Sequence, residues 1–364
     1  MNNSPKFQVD SDITLAKTPP PDFYTNPYYF NLTKEKVFSN SWHWLADTDS
    51  LKLSNQIIPI NLYENFLDEP LLLTRDSSDK IHYLSNVCTH RASIIATHPT
   101  ACKQLQCPYH GRRFSLDGKF ISMPEFKQAK NFPTDADNLT QIPLSKWHKF
   151  LFANLSPTID FDKWIEPIQN RIGWLPLDEC FLDTSRSRDY LVRGNWMLYC
   201  ENYLEGFHIP FVHPDLNQAL DYSKYSNEIF EYSTLQIGIS KGAEFTFDLP
   251  KTSPDFGKYI AGYYFWLFPN LMLNFYPWGI SINIVKPINN SLTKVTFLTY
   301  VWNEKLINDG AGSNLEKGER EDENIVESVQ KGMRSRFYKF GRYSPTQEPG
   351  VHHFHKLLFN NLFK

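Results

Sequence analysis

Two short motifs, Cys88-Thr89-His90 and Cys107-Pro108-Tyr109-His110, constrain this chain more than any other feature. Each brings one thiol and one imidazole, and sixteen residues separate His90 from Cys107. Four metal-binding side chains within 23 positions point to a centre held between two loops. A zinc ion would accept two thiolates and two imidazoles. Zinc sites of that composition, however, usually place both cysteines in one motif and both histidines in another. One Cys and one His per loop suits a two-iron cluster, in which one iron takes both thiolates and the other both imidazoles. Gly111, next after the second motif, relieves crowding at a tight loop tip.

The chain has five cysteines, Cys88, Cys102, Cys107, Cys180 and Cys200, an odd number that argues against a disulfide framework. Cys102, Cys180 and Cys200 have no matching partner motif and read as buried thiols. A net charge of −3 offers no basic field for nucleic acid and no polybasic patch for a membrane. Residues Met1 to Lys17 lack the apolar core of a signal peptide. The most apolar run, Tyr263 to Tyr276, is interrupted by Pro269, Asn270 and Asn274 and is too short to span a bilayer. A cytoplasmic location is expected.

With 364 residues the chain suits two domains. Residues Tyr28 to Trp44 read as a helix with Phe30, Leu32, Val37, Phe38 and Trp42 on its apolar side. From Ile57 to Leu155 short apolar runs alternate with turn signals, as in a small β domain: Ile57 to Ile60, Pro70 to Thr74, Ile81 to Leu84 and Phe150 to Asn154, with a hairpin turn at Leu116 to Phe120. Beyond Pro157, Trp196 to Phe207 has helical character. Tyr263 to Phe275, Ile280 to Val285 and Lys294 to Trp302 read as strands. Glu316 to Lys339 reads as a helix with Ile325, Val326, Val329 and Met333 on one side. An α+β domain with helices covering an antiparallel sheet is expected there.

The second domain holds Asn202-Tyr203-Leu204-Glu205-Gly206-Phe207-His208, then Ile209-Pro210-Phe211-Val212-His213. Pro210, between the two histidines, breaks or ends a helix and can turn both imidazoles to one point. Two histidines and a carboxylate form the facial triad of non-haem iron oxygenases, which leaves positions open for O2. The charged run Glu319 to Val326 supplies candidate carboxylates Glu321, Asp322 and Glu323, on a helix face that is otherwise simply solvated.

Taken together, these motifs resemble the α (catalytic) subunits of Rieske non-haem iron oxygenases. High-potential respiratory Rieske proteins add a cysteine to each loop, where this chain has Ser93 and Tyr109, so the resemblance is to the oxygenase or ferredoxin branch. It implies Cys88, His90, Cys107 and His110 as ligands of a Rieske [2Fe-2S] cluster, and His208, His213 and Asp322 as ligands of a mononuclear Fe(II). Asn202 and Glu205 occupy its catalytic positions. Family members use an acidic residue at the place of Glu205 to link the iron site to the Rieske histidine of a neighbouring subunit, which here would be His110 of the partner subunit in a homotrimer. Most carry Asp there, and Glu resembles the subgroup acting on carnitine, choline and glycine betaine.

The implied architecture is a small all-β Rieske domain (41–155) and a larger helix-grip catalytic domain (156–364), with an N-terminal arm and helix (1–40) packing on the latter. The implied activity is hydroxylation or oxidative demethylation of a small organic substrate. Electrons would come from NAD(P)H through a separate flavin- and iron–sulfur-containing reductase or a ferredoxin. A quaternary amine held by aromatic rings is one substrate class. An aromatic ring hydroxylated by a dioxygenase is another, and a non-catalytic Rieske electron carrier with an appended binding module a third. The aromatics Tyr263, Tyr264, Phe265, Trp266, Phe275, Tyr276 and Trp278 could line a pocket, with about half of them facing inward by strand alternation. The cluster His352-His353-Phe354-His355 reads as packing rather than a third metal site.

Overall fold

Backbone contacts divide the chain between Phe38 and Ser39 and again between Thr158 and Ile159. Residues 39–158 form one unit, and the residues before and after them form the other. The structure, a computed structural model, describes residues 7–363 except 215, 217–219, 243–244 and 313–314, so the start of the polar N-terminal stretch lies outside it. No described helix is long and apolar enough to cross a membrane.

The N-terminal segment forms α1 (Pro21–Thr25) and α2 (Pro27–Lys36), each opened by a proline in its first turn. The helix expected to reach Trp44 therefore stops eight residues early. After a 3-10 turn at Phe38–Asn40, Trp44 enters β1 (His43–Asp47), where it pairs with Phe152. The polar run Ser39-Asn40-Ser41 competes with helical hydrogen bonding, and the sheet offers Trp44 a better-packed partner.

In the smaller unit, β2 (Gln56–Leu62), β3 (Glu69–Arg75), β4 (Ile81–Ser85) and β5 (Thr100–Ala101) form an antiparallel sheet in the order β4-β3-β2-β5. Leu71, Leu72 and Leu73 are all fully buried, as on a central strand covered on both faces. A hairpin sheet, β6 (Leu105–Gln106), β7 (Arg113–Phe114) and β8 (Phe120–Ser122), and a third sheet of β1 with β9 (Leu144–Trp147) and β10 (Phe150–Ala153) complete the unit. Its core gathers Ile57, Leu72, Leu84, Leu105, Phe114 and Leu116, and the thiols of Cys88 and Cys107 are part of it.

The larger unit begins with α3 (Phe161–Ile172) and β11 (Phe181–Val192), neither foreseen from the pattern. β11 is an edge strand with most of its residues exposed, so it lacks the apolar alternation that betrays a strand. Next come α4 (Trp196–Tyr203), α5 (Ile209–Val212), β12 (Ser226–Ile229), β13 (Ser233–Ile239), β14 (Ile260–Leu267), β15 (Leu271–Tyr276), β16 (Gly279–Asn289) and β17 (Leu292–Val301). The sheet is antiparallel throughout, in the order β11-β17-β16-β15-β14-β13-β12. The apolar run read as one strand, Tyr263 to Phe275, is two: Pro269 has no N–H for the ladder, and the buried Asn270 side chain closes the reversal onto the Val285 carbonyl at 2.6 Å.

Helices α6 (Leu315–Gly332) and α7 (Pro349–Phe363) follow. α6 ends at Gly332, short of the expected Lys339. Of the side expected to be apolar, Val326 and Met333 are buried, whereas Ile325 and Val329 are each 39% exposed. Gln330 takes a core position because its side chain accepts the buried Asn195 N–H at 2.7 Å.

Candidate metal centres

The two Cys-His loops are near-copies of one another. In the first, the Ala92 N–H donates to the Cys88 carbonyl (3.0 Å) and the Cys88 N–H to the Ser93 carbonyl (2.9 Å). In the second, Gly111 donates to Cys107 (3.1 Å) and Cys107 to Arg112 (2.8 Å). Both reversals need a left-handed residue at the same point, Ala92 (φ 55°) and Gly111 (φ 73°). This places the thiols side by side in the core and the His90 and His110 rings 4.8 Å apart. Nδ1 of His110 is buried and has no hydrogen-bond partner among the described residues, as an atom reserved for a metal would be. Burial opposes ionisation of Cys107, yet the N–H groups of Tyr109 and His110 directed at its sulfur hold the thiol below its usual range. Paired thiols and paired imidazoles carried by two matching loops fit a two-iron cluster.

A turn at Asp135–Asp137 clamps both loops. Thr89 of the first donates to the Asp137 carbonyl (2.9 Å), and Arg112 of the second donates to the Asp137 carboxylate (2.6 Å). Arg112 is 2% exposed and lies over the Phe120 ring at 4.9 Å. Asp137→Ala leaves that guanidinium without its carboxylate. It should lower the stability of the smaller unit by about 2 kcal/mol, read as a fall in the melting temperature followed at the cluster absorbance.

The second centre is assembled by α5 and α6. α4 stops at Tyr203, and the chain turns through Glu205-Gly206-Phe207. Pro210 sits in the first turn of the four-residue α5, so His208 and His213 bracket that helix. Their rings come within 5.1 Å. Asp322 on α6 reaches them, with Oδ1 3.0 Å from His213 Nε2 and 3.5 Å from His208 Nε2. Among the described residues these three form the one group of at least three potential ligands whose donor atoms all lie within 4.8 Å of one another.

The outer ring nitrogens are also engaged. His208 Nδ1 meets Glu205 Oε1 at 2.7 Å, while Glu205 Oε2 accepts the His208 N–H at 3.0 Å. His213 Nδ1 meets Glu321 Oε2 at 2.7 Å. A carboxylate at each Nδ1 favours the tautomer with its proton there and leaves Nε2 free to bind a metal. Burial lowers the His213 pKa, but the Asp322 and Glu321 carboxylates outweigh it and hold it above the ordinary value. Of the three carboxylates left open by the sequence, Asp322 faces both inner nitrogens and Glu321 an outer one. Glu323 is not in the group.

A cavity of about 200 Å³ opens onto this centre. Asn202 and Glu205 line it, as do Tyr264 and Tyr276, whereas Tyr263, Phe265 and Phe275 fall on the other face of the sheet. Its floor includes Gln236, Tyr264 and Asn274, in register across three strands, with Asn283 of β16 also lining it. Tyr199, Tyr203, Tyr225 and Glu319 complete the wall and were not foreseen as pocket residues. The signal for the floor was present: polar residues at alternate positions of otherwise apolar strands. Tyr199 and Tyr203 come from a helix whose inward face cannot be read without the sheet below it. Burial pushes the Glu319 carboxyl well above the usual range, the Asp322 charge adds to this, and its Oε2 accepts the Tyr199 hydroxyl.

The C-terminal histidines are structural, as expected from sequence. His352 meets the Asp10 carbonyl at 2.7 Å, and the fully buried His355 lies between the Tyr343 hydroxyl (2.7 Å) and Glu201 (3.0 Å).

A β unit with paired Cys-His loops, in one chain with a two-histidine, one-carboxylate centre beneath a cavity, defines an oxygenase fed through an iron–sulfur cluster. Comparison with known proteins agrees. The family model described as ring hydroxylating alpha subunit (catalytic domain) matches residues 181–362, and the Rieske [2Fe-2S] domain model matches residues 41–133. The chain is 31% identical to the chloroplastic choline monooxygenase of Arabidopsis thaliana, over 98% of its own length and 86% of the relative's. It is 29% identical to the carnitine monooxygenase oxygenase subunit of Escherichia coli, over 98% of each. Among solved structures it shares its fold with the quaternary ammonium Rieske monooxygenase CntA bound to L-carnitine (TM-score 0.78, 23% identity, 98% and 99% of the chains). It shares it also with naphthalene 1,2-dioxygenase from Rhodococcus sp. (TM-score 0.74, 16% identity, 94% and 93%). The chain belongs to the ring-hydroxylating alpha-subunit family and is a Rieske non-haem iron oxygenase carrying a [2Fe-2S] cluster and a mononuclear iron.

Proposed function

We propose that this oxygenase oxidises a small quaternary amine. The observation that carries the reading is the cavity wall, where five tyrosines (Tyr199, Tyr203, Tyr225, Tyr264 and Tyr276) surround a space bordered by four acidic side chains and one lysine. Aromatic side chains bind a permanent cation or stack on a neutral ring, and it is the excess of acidic groups that favours the cation. The choline and carnitine monooxygenase relatives support the same class.

In this reading Cys88, His90, Cys107 and His110 hold the cluster, and His208, His213 and Asp322 hold the mononuclear iron. When bound, these groups supply single electrons and activate O2 towards a C–H bond. The chain's residues do the rest. Glu205 and Glu321 fix the histidine rings and their tautomers. Tyr203 and Gln236 are tied to the floor and hold its shape, with the Tyr203 hydroxyl 2.8 Å from Asn274 Oδ1 and the Gln236 amide 2.6 Å from the Tyr203 carbonyl. Asn202 borders the cavity beside them. Glu205 is the bridge to His110 of the partner subunit in a homotrimer. Electrons reach the cluster from NAD(P)H through a separate reductase or a ferredoxin, in the cytoplasm.

The test is turnover with a Rieske-oxygenase reductase and NADH on choline, carnitine, glycine betaine and naphthalene. Oxygen uptake with an aldehyde product from one of the amines is the expected result. Hydroxylation of an N-methyl group releases formaldehyde and the tertiary amine, while oxidation of the choline alcohol carbon gives betaine aldehyde. Turnover of naphthalene alone overturns the reading.

A further inference from the structure

We propose that Glu319 determines specificity as the counter-ion of the substrate, its carboxylate receiving the ammonium centre. The inference rests on the quaternary-amine reading and names the residue that enforces it.

Four acidic side chains border the cavity, and three are committed elsewhere. Glu205 and Glu321 accept from the outer nitrogens of His208 and His213, and Asp322 faces both inner nitrogens. With divalent iron bound, two of those three charges are offset, and Glu319 is the carboxylate that holds no histidine. It lines the cavity and its Oε2 accepts from Tyr199, another wall residue.

Its place on α6 has the required spacing. Glu319 precedes Asp322 by three residues, which puts the two side chains one above the other, about 5–6 Å apart at Cβ. An N-methyl group presented to the iron sets the nitrogen one bond farther out, within the cavity that Glu319 lines. The wall tyrosines add their ring faces to the same cation.

The experiment is calorimetric titration of the iron-loaded protein with choline chloride and with 3,3-dimethylbutan-1-ol, which has the same shape without the charge. Wild-type protein should bind choline more tightly by at least about tenfold. No such preference overturns both the quaternary-amine reading and this inference. Glu319→Gln is nearly isosteric and still accepts from Tyr199. It should lose choline affinity by about 30-fold and bind the neutral alcohol unchanged. A preference that survives in this variant overturns the counter-ion role alone, as does an equal loss for both ligands, which would mark a structural role. Should Glu319→Gln not fold, Glu319→Asp carries the test. A loss confined to choline supports the inference, and a loss shared with the neutral alcohol, or none, overturns it.

Discussion

Asp322→Ala protein should purify with about two irons per chain where the wild type holds about three, with acid-labile sulfide unchanged at about two. Oxygenation should fall by at least about a thousandfold. The expectation follows from geometry, because Asp322 is the carboxylate that faces both inner imidazole nitrogens, at 3.0 and 3.5 Å. Two histidines without it offer a divalent iron only neutral donors. The cluster's visible and EPR spectra should be untouched, since its candidate ligands lie on the loops of the other unit. A variant that kept its third iron would move the ligand to another carboxylate, and the same measurement on Glu321→Ala would then decide.

Glu205→Gln should have the opposite signature, with both metals retained and turnover lowered by about 100-fold. The amide oxygen still accepts from His208 Nδ1, so the ring and its tautomer stay in place. What is lost is the charge that stabilises His208 and, in the proposed trimer, the link to His110 of the partner subunit. Under single-turnover conditions the chemically reduced cluster should stay reduced in the presence of substrate and O2, where in the wild type it reoxidises. Turnover near that of the wild type would sink the inter-subunit route while leaving the metal assignments standing.

Asp137→Ala and the Glu319 variants complete the set, and they differ in what sequence alone made visible. The residues proposed as cluster ligands could be picked out because each is a metal-binding side chain at fixed separation on a tight loop. Short-range spacing is a local property, and backbone sterics around Gly111 and Ala92 turn it directly into geometry. The pair His208 and His213 was legible for the same reason, with Pro210 between them. Asp137 showed no such signal, since its value lies in reaching two loops that are 48 and 25 residues away in sequence.

The choice among Glu321, Asp322 and Glu323 marks the boundary clearly. Three adjacent acids on one helix differ by about 100° of rotation each, and nothing local says which face the helix presents. Packing settled that. Val326 and Gln330 are buried against the unit's interior, and this rotation turns Asp322 towards the inner nitrogens and Glu321 to an outer one. The apolar pattern placed Ile325 and Val329 on the same side as Val326, yet they are partly exposed, because a functional helix gives part of its inward face to polar groups.

The sequence by itself determined the cofactor chemistry, the order of the domains and strands β2, β3, β4 and β10 of the smaller unit, all of which rest on short-range spacing and apolar runs. Only the tertiary structure decided where the helices end, that the run after Tyr263 is a hairpin, and which tyrosines and acids share a cavity with the iron ligands. Those features depend on which residues meet across the sheet and beneath α6, and contacts between distant segments leave no periodic trace along the chain.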